Sequence, residues 1–269
     1  VPKCDSYVIE VIYNACTQPE PTVENQKELV ASIDLGLNNL VALTSNQPGF
    51  VPLLINGRPL KSINQFYNKR KAQLQSQLKG NRCSSSRLGR LTRCRHQKVD
   101  NYLHHTSRQI INLLASEKIG TLVIGKNQKW KNEINLGKKT NQNFVSISHA
   151  RLIEMLKYKA SLVGIKVIEQ EESYTSKSDF FSLDPIPVYG NIGSGDVTFS
   201  GSRIKRGLYK TSSGRLINAD VNGSYNILRK AIPNAFSDGI GRGRSSAEAG
   251  QSAQSERERG GPGASHVMS

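Results

Sequence analysis

Two aspartates stand where divalent-metal chemistry would need them. Asp34 closes an apolar run, Val-Ala-Ser-Ile-Asp-Leu-Gly at 30–36, with Gly36 available for a sharp turn. Asp220 opens a helical pattern that runs to about 231 and is stopped by Pro233. Phosphodiester cleavage by paired metal ions needs several carboxylates converging on ions about 4 Å apart. Mg²⁺ suits such a site, because it takes oxygen ligands and is held by few carboxylates. In a chain with 21 acidic against 37 basic residues, an aspartate at the end of a buried strand needs a reason. Each residue also has an ordinary explanation. Asp34 can hydrogen-bond the turn after it, and Asp220 can simply cap its helix.

Positioning two such residues requires a particular set of elements. Residues 7–15 read as a strand, and the polar, proline-containing stretch 17–27 as a linker. Strands follow at 29–34, 40–45 and 50–55, with a turn at 36–39. Two long helices are expected at 62–79 and 87–116, split at 80–86. A short buried strand at 120–125, a helix at 148–163 stopped by Gly164, and a strand at 165–169 come next. Residues 173–217 are rich in Ser, Gly and Tyr and hold short strands at best; Tyr174, Phe180, Phe181, Tyr189, Phe199 and Tyr209 are expected to form their small core. Asn218 or Asp220 caps the last helix, and from 237 onward the low-complexity sequence reads as disordered. An antiparallel pair beside parallel strands joined through helices predicts an α/β mixed sheet with helices on both faces, as in an RNase H-like fold.

Charge is the strongest bulk signal. The net charge is +16, and eleven Lys or Arg with no Asp or Glu fall between Lys61 and Lys98. A cationic block of this kind is a footprint for polyphosphate, and so for nucleic acid before membrane; a solvated helix face is the plain alternative. No stretch approaches the roughly 20 apolar residues of a membrane span. Four cysteines without CxxC pairs fit a reduced, intracellular protein.

Ser-Ile-Asp-Leu-Gly-Leu-Asn-Asn-Leu-Val-Ala-Leu-Thr-Ser (32–45) resembles the first RuvC-like motif of the TnpB, or OrfB, family. Ile-Asn-Ala-Asp-Val-Asn-Gly-Ser-Tyr-Asn-Ile (217–227) is similar to its third. Further matches are Ile-Gly-Lys-Asn-Gln-Lys-Trp-Lys (124–131), Asn-Gln-Asn-Phe (141–144), Glu-Ser-Tyr-Thr-Ser-Lys (172–177) and Arg-Ile-Lys-Arg-Gly-Leu-Tyr (203–209). The resemblance implies a RuvC-like nuclease, transposon-encoded, cytoplasmic and nucleoid-associated in a prokaryote. Its implied partners are a guide RNA from the transposon end and target DNA, with no membrane and no small-molecule cofactor. It also implies two Mg²⁺ ions held by Asp34 and Asp220.

Two departures sharpen that expectation. The family's usual glutamate after the strand at 121–124 is replaced by Gly125, which leaves Glu172, just past the neighbouring strand, as the third catalytic ligand; Glu171 is the alternative. The family's two Cys-x-x-Cys pairs are also missing from 173–217, so a zinc-less remnant of the zinc ribbon is expected there. Asp179, Asp184 and Asp196 cannot replace four soft ligands. The helical pair at 62–116 becomes a basic insertion that grips a guide–target heteroduplex through Lys69, Arg70, Lys71, Arg87, Arg90, Arg93 and Arg95. Arg203, Lys205 and Arg206 form a second nucleic-acid-binding cluster, and Trp130 either stacks on a base or packs. By this division, 1–27 ends a preceding wedge-like domain, 28–235 is the nuclease domain and 236–269 is a tail. Two other readings stay open: a nuclease-inactive, RNA-guided DNA-binding repressor, and an RNase H-like strand-transfer transposase.

Overall fold

The computed structural model describes residues 29–80, 82–126, 149–188 and 197–237. The strand expected at 7–15, the 17–27 linker, Trp130, the 141–144 match, Tyr189, Asp196 and the tail from 238 lie outside the described residues.

β1 (Val30–Leu35) and β2 (Asn39–Ser45) form an antiparallel hairpin that β3 (Leu53–Asn56) extends. β4 (Thr121–Gly125) runs parallel to β1 on its other side, and β5 (Lys166–Gln170) runs parallel to β4. The order is β3-β2-β1-β4-β5. Parallel neighbours need a crossover; α1 (Arg58–Ser76) and α2 (Ser86–Ser116) lie within the first and α3 (His149–Ser161) within the second. α4 (Ala219–Ala231) ends the fold, followed by a short 3₁₀ turn at Pro233–Phe236.

Alternation along the strands divides the layers. Ala31, Ile33, Leu122 and Ile124 point to one face and join Leu103, Ile110, Ile111 and Leu114 of α2 and Leu152 and Leu156 of α3 in the main core. Each of the Leu and Ile side chains contributes about 1.5–3 kcal/mol of burial. Val30 and Val123 point the other way, against Ile227 and Leu228 of α4. Helices therefore cover both faces.

Local differences from the sequence reading have local causes. α1 starts at Arg58 rather than 62, because Pro59 in its first turn is already set for helix. β3 starts at Leu53 rather than 50, after Pro52, which has no N–H to give the ladder. Gly164 ends α3 with φ +73, after which the Ile165 N–H bonds Ala160 O and β5 begins at Lys166. No helix among the described residues is long and apolar enough to cross a membrane.

The described parts of 173–217 hold three short strands, as expected. β6 (Ser202–Lys205), β7 (Leu208–Lys210) and β8 (Leu216–Asn218) form an antiparallel sheet in that order. Its aromatics do not make one self-contained core. Tyr209 is fully buried with Ile217 and Ala219, whereas Phe180 stacks on Tyr225 of α4 at 4.6 Å and meets Phe236 edge-on at 4.9 Å. A segment this small has too little apolar surface to bury large rings by itself and borrows that of α4. Two buried carboxylates tie its loops together. Asp179 accepts the N–H groups of Phe181 (3.0 Å) and Ser212 (2.8 Å). Asp184 accepts the N–H groups of Asp179 and Ser200, both at 2.9 Å, and the Ser200 hydroxyl at 2.7 Å.

Candidate functional site

Asp34 lies at the C-terminal end of β1, on the face covered by α4. The β1–β4 register pairs Ile33 with Ile124, so its continuation sets Asp34 beside Gly125. Gly125 in turn pairs with Gln170, two residues before Glu172. Three parallel strand ends thus meet at one edge, and α4 brings Asp220 to the same edge.

Two glycines make the room. A Cβ on Gly223 of α4 would lie 2.7 Å from Asp34 Oδ2, so glycine here leaves that carboxylate its place under the helix. A Cβ on Gly125 would lie 2.8 Å from Glu172 Oε2 and 2.5 Å from Ile227 Cδ1. Glu172 therefore extends into the space a β4 side chain would fill. The Asp34 carboxyl is pushed well above its ordinary range, first by burial and then by the negative charges of Glu172 and Asp220, with Arg203 acting the other way. Arg203 on β6 stands 3.6 Å from Asp220 Oδ1.

The ordinary explanation for Asp220 does not hold, because Asn218 does the capping: its Oδ1 accepts the N–H groups of Asp220 (2.9 Å) and Val221 (3.2 Å). The Asp220 carboxylate instead accepts from Asn39 Nδ2 at 2.9 Å. Glu171 is turned away. It pairs with Lys230 at 2.6 Å and accepts the Ser173 N–H at 2.7 Å, contacts that outweigh its burial and hold its carboxyl below the ordinary value.

The motif asparagines act on backbone. Asn226 Nδ2 donates to the carbonyls of Thr175 (2.9 Å) and Ser178 (2.7 Å), and Asn222 Nδ2 donates to Ser178 O at 2.8 Å. Thr175 Oγ1 then donates to Glu172 O at 2.8 Å. One turn apart on a helix, the two side chains share a face, and together they hold the loop that carries Glu172. Beneath the site, Ser32, Thr44 and Ser224 form a buried hydroxyl cluster at 2.9–3.2 Å, and Ser224 Oγ donates to Ser32 O at 2.9 Å. That cluster fixes α4 against the Asp34 strand. Asn39, Gly223 and Ser224 lay inside the quoted motifs, but nothing in residue type showed what they touch.

The donor set suits a hard divalent cation: all oxygen, and crowded with negative charge that a cation would offset. Among the described residues no group of three His, Cys, Asp or Glu side chains is drawn to ion-holding distance. Of the basic residues on the helical pair, Lys69, Arg70, Arg87 and Arg90 are exposed and Lys71, Arg93 and Arg95 half-buried. Arg95 donates to Asn64 Oδ1 at 2.9 Å and lies over the Tyr67 ring, so it also ties α2 to α1. Lys205 and Arg206 are exposed on and after β6. His149 is a packing residue, its Nε2 3.0 Å from Gly36 O.

Residues 13–131 match the OrfB_IS605 family, described as "Probable transposase", and residues 149–227 match the Cas12f1-like TNB domain. A "TnpB-like protein ORF457" of Acidianus two-tailed virus is 26% identical over 214 residues, which cover 76% of this chain. The chain spans 42% of that relative's length. Two solved structures share the fold at TM-score 0.52. One, "Cryo-EM structure of the Cas12f1-sgRNA-target DNA complex", is 14% identical, with 76% of this chain and 50% of that one covered. The other, "Cryo-EM structure of CRISPR-Cas12f Ternary Complex", is 15% identical, with 77% and 40% covered. At these identities the likeness is one of fold. Sheet order and matches define an α/β protein similar to the OrfB_IS605 family in its first part and to the Cas12f1-like TNB domain in its second. Together the two matches and the viral relative support a TnpB (OrfB) family protein.

Proposed function

We propose that this chain acts as a transposon-associated, RNA-guided, metal-dependent DNA endonuclease with a RuvC-like, RNase H-like core, in which Asp34, Glu172 and Asp220 hold Mg²⁺. The observation that carries the reading is Glu172, whose Oε2 lies 2.8 Å from where a Gly125 Cβ would stand. That carboxylate supplies, from the loop just after β5, what β4 lacks at the edge where Asp34 sits. The sheet order supports the core assignment, and the solved Cas12f1-sgRNA-target DNA complex supports guide RNA and target DNA as partners. An acting place in the cytoplasm, on the nucleoid, follows from such partners.

Each residue has a task. Asp34, held over Gly223, and Glu172, held through Thr175 by Asn226, face the same space. Asn39 orients Asp220 by donating to one of its oxygens, and Arg203 screens the other. When bound, Mg²⁺ supplies activation of water and stabilisation of the leaving oxygen in an in-line displacement. The exposed cations of α1 and α2 hold the heteroduplex backbone and read no sequence, which base pairing supplies. Lys205 and Arg206 hold a strand near the site.

A second reading, a binder that does not cut, draws on the Arg203–Asp220 ion pair, which offsets one carboxylate with a side chain. Plasmid cleavage by the protein with its guide RNA separates the two. Cleavage should require Mg²⁺ and fall at least about 100-fold in Asp34→Ala, Glu172→Gln and Asp220→Ala, the scale of losing a key electrostatic group. Wild-type cutting by Asp34→Ala would refute the metal site. No cutting by the wild type, with guide RNA and target bound, would favour the binder.

A further inference from the structure

We infer that Arg58, Lys61 and Arg206 form a phosphate-holding rim beside the carboxylates, taking the backbone of the single DNA strand presented for cutting. The inference rests on the nuclease reading for its strand and on the following geometry for its residues. Lys61 Nζ donates to Asn38 Oδ1, and the next residue, Asn39, donates to Asp220 Oδ2 at 2.9 Å. Adjacent residues of one turn thus hold a cation and a candidate metal ligand. Arg206 approaches from another segment. It precedes Gly207, whose carbonyl accepts the N–H of Ala219 at 3.0 Å, one residue before Asp220.

These cations are gathered against electrostatic preference. Burial, then Arg206, then Arg58 lower the pKa of Lys61, so the three charges press on one another. Arg58 and Lys61 occupy the first turn of α1, the positive end of the helix dipole, and that turn holds no acidic residue. An arrangement that repels itself is relieved by an anion. The neighbouring site supplies the need for one: Asp34, Glu172 and Asp220 would repel the phosphates of any strand laid across them. Cations on the flank offset that repulsion without occupying the metal position. Arg58 and Arg206 are exposed and Lys61 half-buried, so all three can be reached.

The test measures binding of the full chain to a short single-stranded DNA, and to an RNA of the same sequence, by fluorescence anisotropy in EDTA across a salt series. Arg58→Gln, Lys61→Gln and Arg206→Gln should each weaken DNA binding several-fold. Each should make the slope of log K against log salt shallower by about 0.7, the loss of one single-strand phosphate contact. Thermal melting checks that the variants fold, and Arg58 and Arg206, being exposed, should leave the melt unchanged. An unchanged slope in the Arg58→Gln/Arg206→Gln pair overturns the rim, as does an effect confined to RNA. Because divalent ions are absent, this outcome is separable from the nuclease reading. Normal cutting by Glu172→Gln would refute the proposed ligand set and leave the DNA slopes as they are.

Discussion

Replacing Gly125 with alanine adds one methyl group at the most crowded point of the site. The new Cβ would stand 2.5 Å from Ile227 Cδ1, 3.3 Å from its Cγ1 and 2.8 Å from Glu172 Oε2. Ile227 is fully buried against Val30 and Val123, so its end has little room to retreat. Overpacking of this kind costs about 1–3 kcal/mol, equivalent to a fall in Tm of roughly 2–12 °C for a domain of this size. Ile227→Val removes the Cδ1 atom that the methyl would strike, at about 0.5–1.5 kcal/mol by itself. The two changes should therefore be non-additive, with the double variant more stable than Gly125→Ala plus Ile227→Val would give. Cleavage should behave differently. The Glu172 conflict at 2.8 Å persists in the double variant, so lost cutting should not return with stability. Chemical denaturation of all four proteins, with plasmid cleavage measured in parallel, reads both quantities. Strict additivity would show that Ile227 is not what resists the methyl. Full recovery of cutting in the double variant would show that Glu172 does not need the space above Gly125.

Asn226→Leu leaves the buried carbonyl of Thr175 without its amide donor, while Ser178 O keeps Asn222 Nδ2. Leaving one buried group unpaired costs about 1–3 kcal/mol, seen as a lower urea midpoint. Asn226→Asp, nearly the same size, should be worse, because it turns a carboxylate onto two carbonyls. A midpoint within error of the wild type would remove Asn226 from its proposed role. Asp184 gives a pH test. Burial opposes its ionisation, but the N–H of Asp179, the hydroxyl and N–H of Ser200, and the charge of Arg229 outweigh burial and hold the carboxyl below its ordinary 3.8. The folded-state value is the lower one, so this contribution is fully present above 3.8 and is lost as pH falls through the folded value. The stability gap between wild type and Asp184→Asn in urea unfolding should therefore be full at about pH 7 and narrow as pH falls below 3.8; a constant gap would refute it.

Much of this protein was legible in its residues. The alternation Val30–Leu35 and the apolar run at 121–124 set strands whose two faces carry different partners, because side chains alternate along any strand. The cationic helices, the helix stop at Gly164 and the pairing of Asp34 with Asp220 through their motifs were equally visible. Local pattern favoured Glu172 over Glu171 but could not choose between Asn218 and Asp220 as the cap. Lys230 pairs with Glu171 and draws it away, and Asn218 does the capping. The same holds for Asn39 on Asp220, 181 positions apart, for Gly223 beneath Asp34, and for Phe180, which left its own segment for Tyr225. Secondary structure follows from neighbours within one turn or one strand, so sequence determines it. A site made of strand ends and one helix follows from which surfaces bury together, and only the tertiary structure decides that.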